Sequence, residues 1–153
     1  MTDSGNVRGL SPPVKSKRAP RRERALATRN RMLAAAHGLF VEHGYAGTRM
    51  TDVADAAGVA VQTVYFTFHT KAELLQACFD RAVLGEDDPR PPPQQPWYAE
   101  MLAAPTGAEA LRHFAGGNGS IAARVARLAG VVASAKHEPE AVAVHERSET
   151  LRR

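Results

Sequence analysis

Apolar residues recur at helical spacing through most of this chain, and the pattern breaks where Gly and Pro intervene. From Glu23 to His43 an apolar face is supplied by Leu26, Met32, Leu33, Ala36, Leu39, Phe40 and Val41, and Gly44 stops the helix. Between Thr48 and Tyr65 the sequence reads TRMTDVADAAGVAVQTVY. Met50, Val53, Ala54 and Ala57 form one buried stripe, with Thr48 placed to cap a helix beginning near Arg49. Gly58 ends that helix, because glycine takes a positive φ without steric cost, and Val59 turns back toward the core. A second short helix from about Val61 buries Val64 and Phe68 and leaves Gln62, Thr63 and Thr67 facing outward. Thr70 and Glu73 then make a capping box for a fourth helix, Lys71 to about Leu84.

The pattern changes at GEDDPRPPPQQP, Gly85 to Pro96, where prolines without amide donors forbid regular helix or strand. This reads as a linker. Beyond it, Trp97 to Ala103 is a short helix. Gly107 to Ala135 is helical in composition but weakened by Gly116, Gly117 and Gly119. A break is expected there, dividing a helix near 107–115 from one near 119–136. Glu138-Pro139-Glu140 suits the first turn of a last helix. No alternating β pattern and no internal repeat occurs, so the fold class is all-α. The chain stops at Leu151-Arg152-Arg153 while that last helix is in register and uncapped, which suggests a shortened C-terminal part.

Two short helices around a glycine turn, with a small polar outer face, are what reading base edges in a major groove requires. An ordinary helical hairpin in an all-α core fits the apolar pattern equally well. Charge shifts the balance. The net charge is only +4, yet Lys15, Lys17, Arg18, Arg21, Arg22, Arg24, Arg29 and Arg31 crowd one short run opposed by Glu23 alone. Residues 1–22, rich in Ser, Pro, Gly and basic side chains, read as a disordered arm suited to nucleic acid.

Other chemistry finds little support. The single cysteine, Cys78, lies on an apolar face beside Leu74, Leu75 and Phe79 and reads as a buried thiol. His137 and His145 are two helical turns apart, too far to share one ion, so no metal and no cofactor is expected. Gly116-Gly117-Asn118-Gly119-Ser120 follows no strand and lacks the Lys-Ser/Thr ending of a phosphate-binding loop. No catalytic constellation can be placed, so an enzyme is not expected. No apolar run approaches the roughly 18 residues that span a bilayer, and the basic N-terminus lacks the apolar core of a secretory signal. A cytoplasmic protein without a membrane partner follows.

The segment TRNRMLAAAHGLFVEHGYAGTRMTDVADAAGVAVQTVYFTFHTKAELL, Thr28 to Leu75, closely resembles the DNA-binding domain of TetR-family (tetracycline-repressor-like) transcriptional regulators. The markers are Gly44-Tyr45, Thr48, Ala54, Ala57-Gly58-Val59, Thr63-Val64-Tyr65 with Phe68, and Lys71 with Leu74-Leu75. Ala60 departs from the Ser common there, a lost hydroxyl cap that costs about 1 kcal/mol. The resemblance implies a three-helix helix–turn–helix domain over 23–70, a connecting helix over 71–84, a linker over 85–96, and a shortened helical effector-binding and dimerisation domain over 97–153. It implies base contacts by Val61, Gln62 and Thr63, and phosphate contacts by Thr28, Thr48, Tyr65, His69 and Lys71. Trp97, Met101 and Phe114 are the residues with some claim to a pocket for a small apolar or amphipathic effector, although plain helix packing accounts for most of the apolar set. The implied function is that of a repressor, bound as a homodimer to a palindromic operator in double-stranded DNA and released by the effector. A truncated DNA-binding module without ligand control is the alternative, and a small helical enzyme or ligand-binding protein a distant one.

Overall fold

A computed structural model describes residues 18–85, 90–135 and 137–142. Among them are six α-helices and no strand: α1 Arg18–Gly47, α2 Met50–Ala57, α3 Val61–Phe68, α4 Lys71–Leu84, α5 Pro96–Ala103 and α6 Gly107–Ala135. Two short 3₁₀ turns, Pro92–Gln94 and Pro139–Ala141, complete the order. Helix α2 packs on α1 and α3, α4 joins α1, and α6 crosses both α1 and α4. One core gathers Met32, Leu33, Ala36 and Phe40 of α1, the inner faces of α2, α3 and α4, and Leu128, Val131 and Val132 from the far end of α6.

The element ends follow local chemistry. Gly44 has φ 70 and ψ −179 inside α1, so regular helix stops there and a last turn leads to Thr48. The Thr70 hydroxyl accepts the Glu73 amide at 3.1 Å, the cap expected for α4. Thr106 caps α6 in the same way, accepting the Glu109 amide at 3.3 Å and donating to its carboxylate at 3.1 Å. Gln95 ties the linker to the end of α4, donating to the carbonyls of Leu84 (3.0 Å) and Arg90 (2.8 Å).

Four expectations need correction. Residues 18–22, read as part of a disordered arm, are the first turns of α1. Pro20 is tolerated in a first turn, and the Arg, Glu and Ala that follow are strong helix formers. Residues 1–17 lie outside the described residues. Leu26 and Val41 are 58% and 46% exposed, off the core stripe that Met32, Leu33, Ala36 and Phe40 define. The prolines of the linker do not exclude all helix, since Pro92–Gln94 forms a 3₁₀ turn and Pro96 opens α5 at the position proline accepts.

The largest difference is α6, which runs unbroken through Gly116, Gly117 and Gly119. Each glycine costs a helix about 1 kcal/mol, but tertiary packing offsets it. The Trp97 ring rests directly on Gly117, where a Cβ would come within 2.1 Å of the indole. Ser120 and Asn118 also bond back to the carbonyls of Gly117 (2.8 Å) and Phe114 (3.2 Å). The glycines make room for α5 rather than ending a helix. The last helix expected after Glu138 begins as the 3₁₀ turn Pro139–Ala141, and its remainder, with His145, lies outside the described residues.

Candidate nucleic-acid interface

Helix α2 closes within two residues. Gly58 adopts the left-handed conformation (φ 64, ψ 45), its amide returning to Asp55 O at 3.2 Å and the Val59 amide to Ala54 O at 3.0 Å. Helix α3 therefore starts at once. Ala60 occupies its cap position with an extended backbone and no side-chain bond, and the Thr63 amide donates to Ala60 O at 2.9 Å. Val64 and Phe68 are buried and fix the rotation of α3, and the Arg29 guanidinium sits 5.1 Å from the Phe68 ring centre.

That rotation decides what α3 presents. Gln62 is exposed, whereas Val61 and Thr63 are half-buried, Val61 packing against the core edge. Thr67, expected to face outward, is half-buried and donates its hydroxyl to Thr63 O at 2.8 Å, the back-bonding common to Ser and Thr in helices. Phe66 was not among the expected site residues, yet it is 84% exposed. It lies four residues after Gln62 and shares its face. That spacing was the available signal, hidden because a Phe in an apolar run reads as core.

Beside α3 an open hollow of about 410 Å³ is lined by Thr48, Arg49, Tyr65, His69, Thr70 and Lys71, with Ala46 and Met50. Four of the five expected phosphate contacts meet there. The fifth, Thr28, is half-buried on α1 and is not part of this lining. Arg49 and Thr70, which the sequence marks only as helix-boundary residues, belong to the hollow. Thr48 needs correction as a cap: Arg49 holds the cap position of α2, while Thr48 is buried and donates to Gly44 O at 2.8 Å. Its hydroxyl is spent inside the fold, where it fixes the turn that carries Arg49.

Two of the other lining side chains, Lys71 and His69, are held in place. The Lys71 amine donates to Tyr45 O at 2.9 Å and lies 4.3 Å from the Tyr45 ring centre, clamping the start of α4 to the end of α1. His69 is the only non-glycine with positive φ (51°) among the described residues, and its Nδ1 lies 3.1 Å from Glu73 Oε2. Such backbone strain persists where its surroundings enforce it, here through Thr70, whose amide turns back to Phe68 O. The hollow thus combines two cationic side chains, a phenol, an imidazole and the starts of α2 and α4. Helix N-termini favour anions, so the arrangement suits phosphate groups flanking a helix that offers Gln62 and Phe66.

A sequence profile described as "Bacterial regulatory proteins, tetR family" matches residues 32–78, which span the buried half of α1, the turn, α3 and the hollow. Over residues 32–78 the chain is similar to the tetR family. Among curated relatives, the HTH-type transcriptional regulator CymR of Pseudomonas putida is 47% identical over 64 residues, covering 42% of this chain and 32% of that protein. TtgR, an HTH-type transcriptional regulator also from Pseudomonas putida, is 41% identical over 59 residues, 39% of this chain and 28% of its own. The HTH-type transcriptional activator FasR of Mycolicibacterium smegmatis is 39% identical over 90 residues, 54% of this chain and 39% of its own. The chain spans about a third of the length of these relatives. A solved structure of a HlyIIR mutant protein shares the fold, with a TM-score of 0.55 at 21% identity over 78% of this chain and 61% of that one. The likeness in fold therefore reaches past the tetR-family segment, which ends within α4, into the C-terminal helices.

The three expected effector residues lie on α5 and α6. Trp97 and Phe114 meet edge to face, ring centres 6.5 Å apart at 74°, and Met101 lies one turn after Trp97 on α5. Trp97 and Phe114 pack α5 on α6, and none of the three lines the hollow or the cavity between α1, α4 and α6. Among the described residues no group of three His, Cys, Asp or Glu is placed to hold a metal, and no helix is long and apolar enough to cross a membrane.

Proposed function

We propose that this chain is a cytoplasmic DNA-binding transcriptional regulator that reads a palindromic operator as a homodimer. The observation that carries the reading is the placement of α3, which offers Gln62 beside a hollow that gathers Arg49, Tyr65, His69 and Lys71. Gln62 pairs with the edge of adenine, Val61 and Thr63 approach neighbouring bases from the first turn, and the hollow holds the backbone that fixes register. Two copies presenting α3 about 34 Å apart match one turn of B-DNA. Repression released by a small effector is the finer form of this reading. The relatives named as HTH-type transcriptional regulators support the class.

The test is selection of duplexes from a random library by the full chain, followed by binding to the selected duplex at two salt concentrations. Gln62→Ala is expected to relax preference at one base pair by about 1–3 kcal/mol and spare other sequences. Arg49→Ala is expected to weaken binding to all sequences and lower the salt slope by about 1. Failure to enrich any duplex, with Gln62→Ala indistinguishable from wild type, overturns the reading. A DNA-binding module without ligand control is the second reading, favoured by the packing of Trp97 against Phe114 and not around a cavity. A monomer at micromolar concentration that still binds single half-sites would select it.

A further inference from the structure

The outward face of α3 is narrow. Val64 and Phe68 are buried, and together they fix which way the helix is turned. At about 100° per residue, Gln62 and Phe66 stand about 160° and 200° around the axis from Val64, on the side away from the core. Both are exposed, and Phe66 at 84% is the most exposed large apolar side chain among the described residues. Its neighbours in the second turn are occupied elsewhere. Thr67 is half-buried and donates its hydroxyl to Thr63 O at 2.8 Å, while Tyr65 lines the hollow. Phe66 is therefore what the second turn presents outward, and a phenyl ring brings no hydrogen-bonding group to that face.

We propose that Phe66 is a specificity-determining residue that reads the C5-methyl group of a thymine in the major groove. This role rests on the DNA-binding reading above and adds a second kind of contact to it. The thymine methyl is the apolar group that unmodified base pairs present there, and the other edge groups are hydrogen-bond donors and acceptors. A ring pressed on those groups strips their water and returns no hydrogen bond, so Phe66 selects against them as well as for the methyl. An exposed apolar side chain is ordinary by itself. What gives this one a role is its place, on the face it shares with Gln62 and beside the hollow that carries Arg49 and Lys71. Position also sets which base pair is read. Phe66 lies one turn, about 6 Å, along α3 from Gln62, and successive bases along a strand are about 3.4 Å apart. Its thymine therefore lies within about two base pairs of the adenine paired with Gln62.

The experiment uses the full chain and the duplex that it selects from the random library. Each thymine in turn is replaced by deoxyuridine, which removes the methyl group and keeps the base pairing. Wild type is expected to lose affinity about fourfold per half-site at one position, the effect of one apolar carbon returned to water. Phe66→Ala is expected to bind the thymine and uracil duplexes within about twofold of each other. Phe66→Leu, which keeps an apolar side chain, is expected to retain the penalty. At the same position a 5-methylcytosine–guanine pair should bind wild type better than cytosine–guanine, and Phe66→Ala should not distinguish them. Because Phe66 is so exposed, Phe66→Ala should melt as wild type does, which separates a lost contact from a lost fold. A uracil penalty absent at every position, or one that Phe66→Ala retains, overturns the proposal and leaves the DNA-binding reading intact. A Phe66→Ala variant that lowers the mass of the free chain in solution and keeps the penalty assigns the ring to a contact between copies, and also overturns it. Enrichment of no duplex removes both readings.

Discussion

The part of the molecule built from α1 to α4 and the part built from α5 and the first turns of α6 are both helical, but they are held by different means. In the first, Phe40, Val53, Val64, Leu74 and Leu75 have essentially no exposure. Helices α2 and α3 have eight residues each, short of the about 12–15 at which an isolated helix is even marginal. They exist because of what they bury, so their mutual geometry is set by the core. In the second part α5 buries no residue, and Leu102, Leu111 and Phe114 are 70%, 64% and 47% exposed. Helix α6 has 29 residues and reaches the core only near its far end. The surface proposed to meet a DNA groove is carried by the part whose short helices are fixed by the core.

The largest effect should separate these parts outright. Phe40 is fully buried and stacks on Tyr45 with ring centres 6.1 Å apart, so Phe40→Ala leaves a cavity that costs about 3–5 kcal/mol. Phe114→Ala loses chiefly the edge-to-face contact with Trp97, about 1 kcal/mol. Urea unfolding of the two variants, read at the midpoint with unchanged slope, gives the comparison. Equal losses would mean that the first turns of α6 are as integral to the fold as α1.

This contrast also governs what could be read from the chain. The helix starts near Met50, Val61 and Lys71, the Gly58 turn, the Thr70 cap and the buried Val64 and Phe68 were all legible, because each is a local pattern enforced by one core. The residues of the hollow were legible in part. Tyr65, His69 and Lys71 came from the family resemblance, while Arg49 and Thr70 looked like punctuation between helices. Phe66 was lost because composition does not reveal which way an aromatic in a short helix points. The unbroken α6 was not legible, since glycine propensity is local and the Trp97 ring that uses Gly117 comes from twenty residues earlier in the chain. The cavity between α1, α4 and α6 was invisible for the same reason: Arg81 lies on α4 and Arg124 and Arg127 on α6, more than forty residues further along.

A smaller effect probes how α5 is held, and its sign is the point. Gly117→Ala gains helix propensity of about 1 kcal/mol, but the new Cβ would meet the Trp97 ring at 2.1 Å. A rigid indole cannot yield by rotating a flexible end, and overpacking costs about 1–3 kcal/mol. The clash wins, α5 lifts, and the fluorescence of Trp97, the only tryptophan in the chain, should shift to the red. Gly119→Ala has nothing within 4 Å of its Cβ and should instead stabilise the protein by about 0.5–1 kcal/mol with no change in emission. If both alanines stabilise, α5 is not seated on α6 as described.

The smallest effect is read at the seam, where Cys78 of α4 faces Leu33 of α1 beneath α6. Burial raises its thiol from 9.0 to about 12, against the smaller opposing pull of Arg81 and Arg29. Below pH 9 the folded and unfolded chains both hold the proton, and the thiol adds no pH dependence. Between about 9 and about 12 the unfolded chain releases the proton while the folded chain keeps it, so stability falls as pH rises, by up to about 1.4 kcal/mol per pH unit. The difference in unfolding free energy between wild type and Cys78→Ala, measured in urea from pH 8 to pH 10, isolates this contribution from the other groups that titrate there. It should be flat below pH 9 and decline above it. A difference that stays flat throughout would mean that water reaches the thiol. With Phe40→Ala still costly, that opening would be confined to the junction of α4 with α6; with Phe40→Ala mild, it would extend along α1 and the contrast between the two parts would fail.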